Sequence, residues 1–145
     1  MRLVLDTNVV VSALIWGGTP YKLLQAATDG DIELVTSPVL LAELHGVLAR
    51  EHLTTRLVRQ RSSVEQAIGF YGELAISVSP LTTPRAVPRD ADDDHVVAAA
   101  RAGKADLIVS GDKDLLSLGS FEGTAVVAPA EALQRIQDNR TTSKT

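Results

Sequence analysis

The sequence predicts an α/β fold, a three-layer α/β/α sandwich around a central, mostly parallel sheet of about five strands. Three observations carry that expectation. Short uninterrupted apolar runs such as Leu3-Val4-Leu5 and Leu107-Ile108-Val109 read as strands buried on both faces, as in a parallel sheet covered by helices. Between them lie longer segments with apolar residues three and four apart, two of them opened by a hydroxyl residue and Pro, a cap followed by the residue best suited to a first helical turn. Strands and helices therefore alternate, which is how a parallel sheet is connected.

Taken in order, residues 3–5 form the first strand, with Asp6 at its C-terminal end. Asp6-Thr7-Asn8 turns into a short helix over 9–15. Trp16-Gly17-Gly18 reads as a loop, and Thr19-Pro20 caps a helix over 21–28 that Asp29-Gly30 stops. Residues 32–36 form the second strand. Ser37-Pro38 opens a helix reaching about Arg50, with Val39, Leu40, Leu44, Val47 and Leu48 as its apolar stripe and Glu43 set within it. Arg50, His52, Arg56, Arg59 and Arg61 follow along one or two helices, and helix continues to about Leu74. Residues 75–78 are a third strand, and the Pro-marked segment 80–88 is a loop.

A helix over about 92–102, ending at Gly103, precedes the fourth strand at 106–110, after which come Gly111-Asp112-Lys113-Asp114. Residues 124–127 are a fifth strand and 129–137 a closing helix. One domain over 1–138 is expected, with 139–145 a polar, disordered tail.

Composition narrows the chemistry. The 145 residues contain no cysteine, which excludes disulfides and thiolate metal sites. Three scattered histidines leave oxygen as the main ligand type, which suits Mg²⁺ or Mn²⁺. A net charge of −4 argues against coating nucleic acid by bulk charge, and aromatics at 3% argue against stacking bases on several rings. The N-terminal residues turn acidic too soon for a signal peptide, and no apolar run has the length of a membrane span, so a cytoplasmic protein with no membrane association is expected. No phosphate-binding loop follows Trp16-Gly17-Gly18-Thr19.

The acidic residues are the informative ones. Asp90-Ala91-Asp92-Asp93-Asp94 sets four aspartates in five positions before the small apolar run 96–100. Carboxylates this close repel, which raises their pKa values unless a cation compensates. Helix N-termini do favour acids, but that accounts for one or two of the four. Asp6 and Asp112 each end an apolar strand, and in open α/β sheets ligands bind outside those ends. Glu43 can complete a negative pocket there. Taken singly, each has a duller reading, as a turn former, cap or surface residue; His95 reads as helix surface.

These motifs together resemble a known family. Residues 1–9, Met-Arg-Leu-Val-Leu-Asp-Thr-Asn-Val, look like the opening of PIN domains, nucleases that include the VapC-type toxins of bacterial toxin–antitoxin pairs. Ser37-Pro38 through Glu43, the acidic stretch with its apolar run, and Val109-Ser110-Gly111-Asp112-Lys113-Asp114 resemble the other three motifs in order, with Ser110 where Thr is usual. The resemblance spans residue 1 to about 137 and is nearest to the toxin-component PIN subgroup. It implies a PIN-like fold and a Mg²⁺ or Mn²⁺ site made by Asp6, Glu43, Asp93 and Asp112. Asp90, Asp92, Asp94 and Asp114 are alternative or outer ligands, and Asn8 and Ser110 orient the acids.

The implied activity is hydrolysis of phosphodiester bonds in RNA, with a cognate antitoxin and a homodimer as implied partners. The guanidinium groups of Arg50, Arg56, Arg59 and Arg61 suit phosphate, and so do Lys113, Arg85 and Arg89; a solvated helical face is the other reading of the arginines on 50–61. A haloacid-dehalogenase-type phosphatase also opens with a strand ending in Asp, but needs a second Asp where this chain has Asn8. A non-toxin RNA-processing nuclease and a non-catalytic PIN-like binding module are the other readings.

Overall fold

The computed structural model describes residues 1–81, 83 and 93–143, the last two by backbone alone. Asp90, Asp92, Arg85 and Arg89 lie outside the described residues. Six strands form one sheet: β1 (Arg2–Leu5), β2 (Glu33–Thr36), β3 (Ile76–Ser77), β4 (Leu107–Val109), β5 (Ser120–Phe121) and β6 (Thr124–Val127), in the order β3-β2-β1-β4-β6-β5. All neighbours run parallel except β5 and β6. The strand beyond the expected five is β5, joined to β6 through Glu122-Gly123, whose φ values of 49° and 86° make the tight turn that suits a twisted hairpin. Two residues are too few to show an alternating pattern in sequence.

Strand parity explains the layers. Leu3 and Leu5, Leu34, Leu107 and Val109, and Val127 point into one apolar cluster, while Val4, Val35, Ile108 and Val126 point into another. Successive side chains of a strand face opposite ways, so apolar residues at consecutive positions demand cover on both sides. One side is covered by helices that include α1 (Thr7–Ile15), α2 (Gly18–Thr28), α5 (Val64–Leu74) and α8 (Pro129–Ser143). The other is covered mainly by α6 (Asp93–Gly103) and α7 (Lys113–Leu116). The α/β/α layering is as expected.

α3 (Pro38–Leu48) contributes Leu44 and Leu48 to the first cluster and Leu40 to the second. Its start follows the sequence: the Ser37 hydroxyl accepts from Leu40 N–H at 3.2 Å and Pro38 opens the first turn. The start of α2 does not. Gly17, at φ 79°, precedes the helix, and Thr19-Pro20 falls inside the first turn, where Pro is tolerated because those N–H groups have no intrahelical acceptor. α4 (Glu51–Arg59) is separate from α5, with Arg61 at φ 59° between them. α8 continues past residue 137, so residues 139–143, expected as the start of a disordered tail, extend the helix. No described helix is long and apolar enough to cross a membrane.

α6 runs opposite to the strands. Its last residue, Gly103, offers its carbonyl to Arg2 Nη1 at 3.0 Å, and Arg2 begins β1. A Cβ at Gly103 would stand 2.6 Å from Val35 Cγ1, so this end of the helix lies hard against the sheet. Since α6 packs across β1, β2 and β4, its first residue, Asp93, is directed to the C-terminal edge of those strands.

Candidate active site

Strand order reverses at β1: β2 and β3 lie on one side and β4 on the other. The crevice outside the C-terminal ends of β1 and β4 is therefore the switch point where open α/β sheets bind ligands. The register sets Leu5 beside Val109, so Asp6 and Ser110 emerge side by side. Ser110 is fully buried, and its hydroxyl donates to Asp6 Oδ2 at 2.8 Å and accepts from Asp112 N–H at 2.9 Å. One hydroxyl thus links the acids that end two neighbouring strands.

The two acids differ in a way that sequence does not reveal. Asp112 is a helix cap: its Oδ1 accepts from Asp114 N–H at 2.7 Å and Leu115 N–H at 3.3 Å, so the duller reading holds for that oxygen. Asp6 precedes α1 but makes no side-chain cap bond to it. Its backbone carbonyl accepts from Val9 and Val10 N–H instead, and the residue is buried, with its Oδ2 accepting from Ser110.

Asp93 and Asp94 open α6, and both are buried. Residues 96–100 are all buried, and Asp94 shares a face with Ala98 as Asp93 does with Val97, so burial along α6 does not separate the two acids. The Oδ2 atom of each is buried and receives no hydrogen bond, while both residues take part in other interactions. Glu43 is half-buried on α3, one turn beyond Leu40, which packs with Val96 and Val97 of α6. Asp114 is half-buried on α7; Lys113 and Asn8 are exposed, and Asn8 makes no side-chain hydrogen bond among the described residues.

Apart from Tyr71 on α5, whose ring belongs to the apolar core, the buried polar and charged side chains among the described residues sit at this one edge. They are Asp6 and Thr7 after β1, Thr36 and Ser37 at the end of β2, Ser110 after β4, and Asp93 and Asp94 at the start of α6. In sequence Thr7 reads as a turn residue, Thr36 as a strand end and Ser37 as a cap, and nothing local marks them as parts of one site. Three of the seven are carboxylates, and no basic side chain is buried with them. Burying charge is unfavourable unless a counter-charge, hydrogen bonds or a metal offsets it. Oxygen-only donors match a hard divalent cation in kind. Among the described residues no three acids or histidines stand in a ready metal-binding cluster.

The arginines lie elsewhere. Arg50 precedes α4, Arg56 and Arg59 lie on it and Arg61 follows it, all exposed. The side chain of Gln60, just past α4, reaches the carbonyl of Ile15 at 2.7 Å, at the end of α1 remote from Asp6. A helix the length of α1 spans roughly 13 Å. Arg56 likewise stands over the Trp16 ring, at that same end of α1.

A family model described as PIN domain matches residues 2–114. No curated protein matches the chain in sequence. Solved structures with similar folds include VapBC2 from Rickettsia felis bound to a DNA fragment from its promoter (16% identity, 88% of this chain and 98% of that one, TM-score 0.56). PAE2754 from Pyrobaculum aerophilum is similar at 14% identity over 94% and 89% of the two chains, with a TM-score of 0.55. FitAcB from Neisseria gonorrhoeae is similar at 18% identity over 88% and 98%, with a TM-score of 0.54.

Proposed function

This chain belongs to the PIN-domain family, and on that premise we propose that it is a divalent-metal-dependent endoribonuclease, the toxin of a type II toxin–antitoxin pair. The observation that carries the reading is the gathering of buried polar side chains, three carboxylates among them, at the switch point of the sheet. Asp6, Glu43, Asp93 and Asp112 would hold Mg²⁺ or Mn²⁺. Asp94 and Asp114, and Asp90 and Asp92 outside the described residues, are alternative or outer ligands. When bound, the ion supplies water activation and neutralisation of phosphoryl charge.

The chain's own residues then have separate tasks. Ser110 fixes the Asp6 carboxylate by donating to it and holds the Asp112 backbone by accepting from it, an outer-sphere role that sets ligand geometry. Asp112 uses Oδ1 to anchor α7 and would offer Oδ2 to the ion. Asn8 and Lys113, both exposed beside the acids, meet the substrate or the antitoxin. The likeness to VapBC2 and FitAcB supports an antitoxin partner, which on this reading would cover the acidic edge; a homodimer is implied by membership of the family.

A second reading, a PIN-like binding module without catalysis, is favoured by one observation: the described acids are not already drawn into a three-member cluster. Cleavage of labelled single-stranded RNA, with a DNA control, in Mn²⁺, Mg²⁺ or EDTA separates the two. The nuclease cuts RNA only with metal and loses cutting in Asp6→Asn. A protein that binds RNA but cuts none with either ion is the module.

A further inference from the structure

The chain has one tryptophan, and folding leaves it on the surface: Trp16 is 57% exposed at the end of α1. An exposed indole offers a large flat apolar face on which a partner can stack. The guanidinium of Arg56 stands 5.3 Å from the ring centroid, a cation–π contact that fixes the ring's orientation. Helical spacing puts His52, Thr55, Arg56 and Arg59 on one stripe of α4, and with Glu51 they line a single surface depression. Arg2, Arg101, Arg135 and Arg140 pair with carboxylates, whereas Arg56 and Arg59 pair with none among the described residues. Unpaired guanidinium groups beside an exposed ring are the two parts of a single-strand site: a stacking platform and a cationic track.

We propose that Trp16 and the Arg56–Arg59 face of α4 form a second contact for single-stranded RNA, one base stacking on the indole while flanking phosphates meet the arginines. The proposal rests on the RNA substrate proposed above and adds a binding site remote from the acids. The length of α1 separates the two sites by roughly 13 Å. At the spacing of a stacked strand, about 3.4 Å per phosphate, that is about four nucleotides, and fewer for an extended strand. Long substrates therefore bind both sites, and very short ones reach only the acids.

Because Trp16 is the sole tryptophan, its fluorescence reports on this site alone. The full chain is titrated in EDTA with single-stranded RNA, following tryptophan emission and, separately, the anisotropy of labelled RNA. Stacking predicts saturable quenching with the same midpoint as the anisotropy change. Trp16→Ala weakens binding about 5- to 150-fold, the range for loss of one stacked base, and Trp16→Phe retains most of it. Arg56→Gln weakens binding and lowers the salt-dependence slope by about one. Circular dichroism of each variant confirms folding, expected because the residues are exposed.

RNA binding without quenching, or unchanged affinity in Trp16→Ala, overturns the proposal. So does emission that varies with protein concentration in the absence of RNA, which assigns the face to a second copy of the chain. Metal-dependent cleavage without quenching removes this site and leaves the nuclease intact. Quenching without cleavage keeps this site and removes the nuclease.

Discussion

Ser110→Ala is the substitution that reports best on how the candidate site is built. The hydroxyl is fully buried and makes two hydrogen bonds, 2.8 Å to the Asp6 carboxylate and 2.9 Å from Asp112 N–H. A bond to a charged partner contributes about 1.5–3 kcal/mol and a neutral one about 1 kcal/mol, and bulk water does not reach the position to replace them. A loss of about 2–4 kcal/mol follows. Urea unfolding of the full chain in EDTA, followed by circular dichroism because Trp16 is too exposed to report on the core, measures it. Combining Ser110→Ala with Asp6→Ala isolates the shared bond, with an expected coupling of about 1.5–3 kcal/mol. Effects that add to within about 0.5 kcal/mol mean independent residues, and would refute the claim that one hydroxyl ties the two strand ends together.

Two further outcomes rest on other parts of the fold. Gly103→Ala forces a methyl to 2.6 Å from Val35 Cγ1 and lowers stability by about 1–3 kcal/mol, the usual cost of overpacking, read from the urea midpoint. Arg101 holds the Glu122 carboxyl below its ordinary range, chiefly through their hydrogen bond. Because the folded value is depressed, that stabilisation is present above the unfolded glutamate pKa and is lost as pH falls through the folded one. Glu122→Gln therefore flattens the acid limb of a stability–pH curve. The change is small, since both groups are exposed, and Arg101, raised by the same bond, stays charged throughout.

Much of this architecture was legible because it follows from period and capping. Consecutive apolar residues in Leu3-Val4-Leu5 and Leu107-Ile108-Val109 required cover on both faces, and the two apolar clusters supply it. Ser37-Pro38 announced α3 through a cap whose chemistry is local. Thr19-Pro20 gave the same signal two residues late, because the positive φ of Gly17 starts α2 earlier and a local pattern cannot tell the first helical position from the third. The run after Asp94 marked a buried helix, but burial on all its inward flanks leaves the choice between Asp93 and Asp94 to tertiary packing.

Asp6 and Asp112 look alike in sequence, each an acid after a strand. Only the fold shows that Asp112 caps its helix with its carboxylate and Asp6 does not. Trp16 read as a loop residue, since its pairing with Arg56 joins positions forty residues apart.

Calorimetric titration of Mn²⁺ into the metal-free full chain, beside Asp6→Asn, tests most directly whether the buried carboxylates form a cation site. Asp6→Asn keeps the shape of the side chain and removes its charge. Saturable binding in the natural sequence, weakened at least about tenfold in the variant, is the predicted result; a tenfold change is about 1.4 kcal/mol. No binding, or equal binding by both proteins, contradicts the account and leaves this edge a buried polar network without a metal.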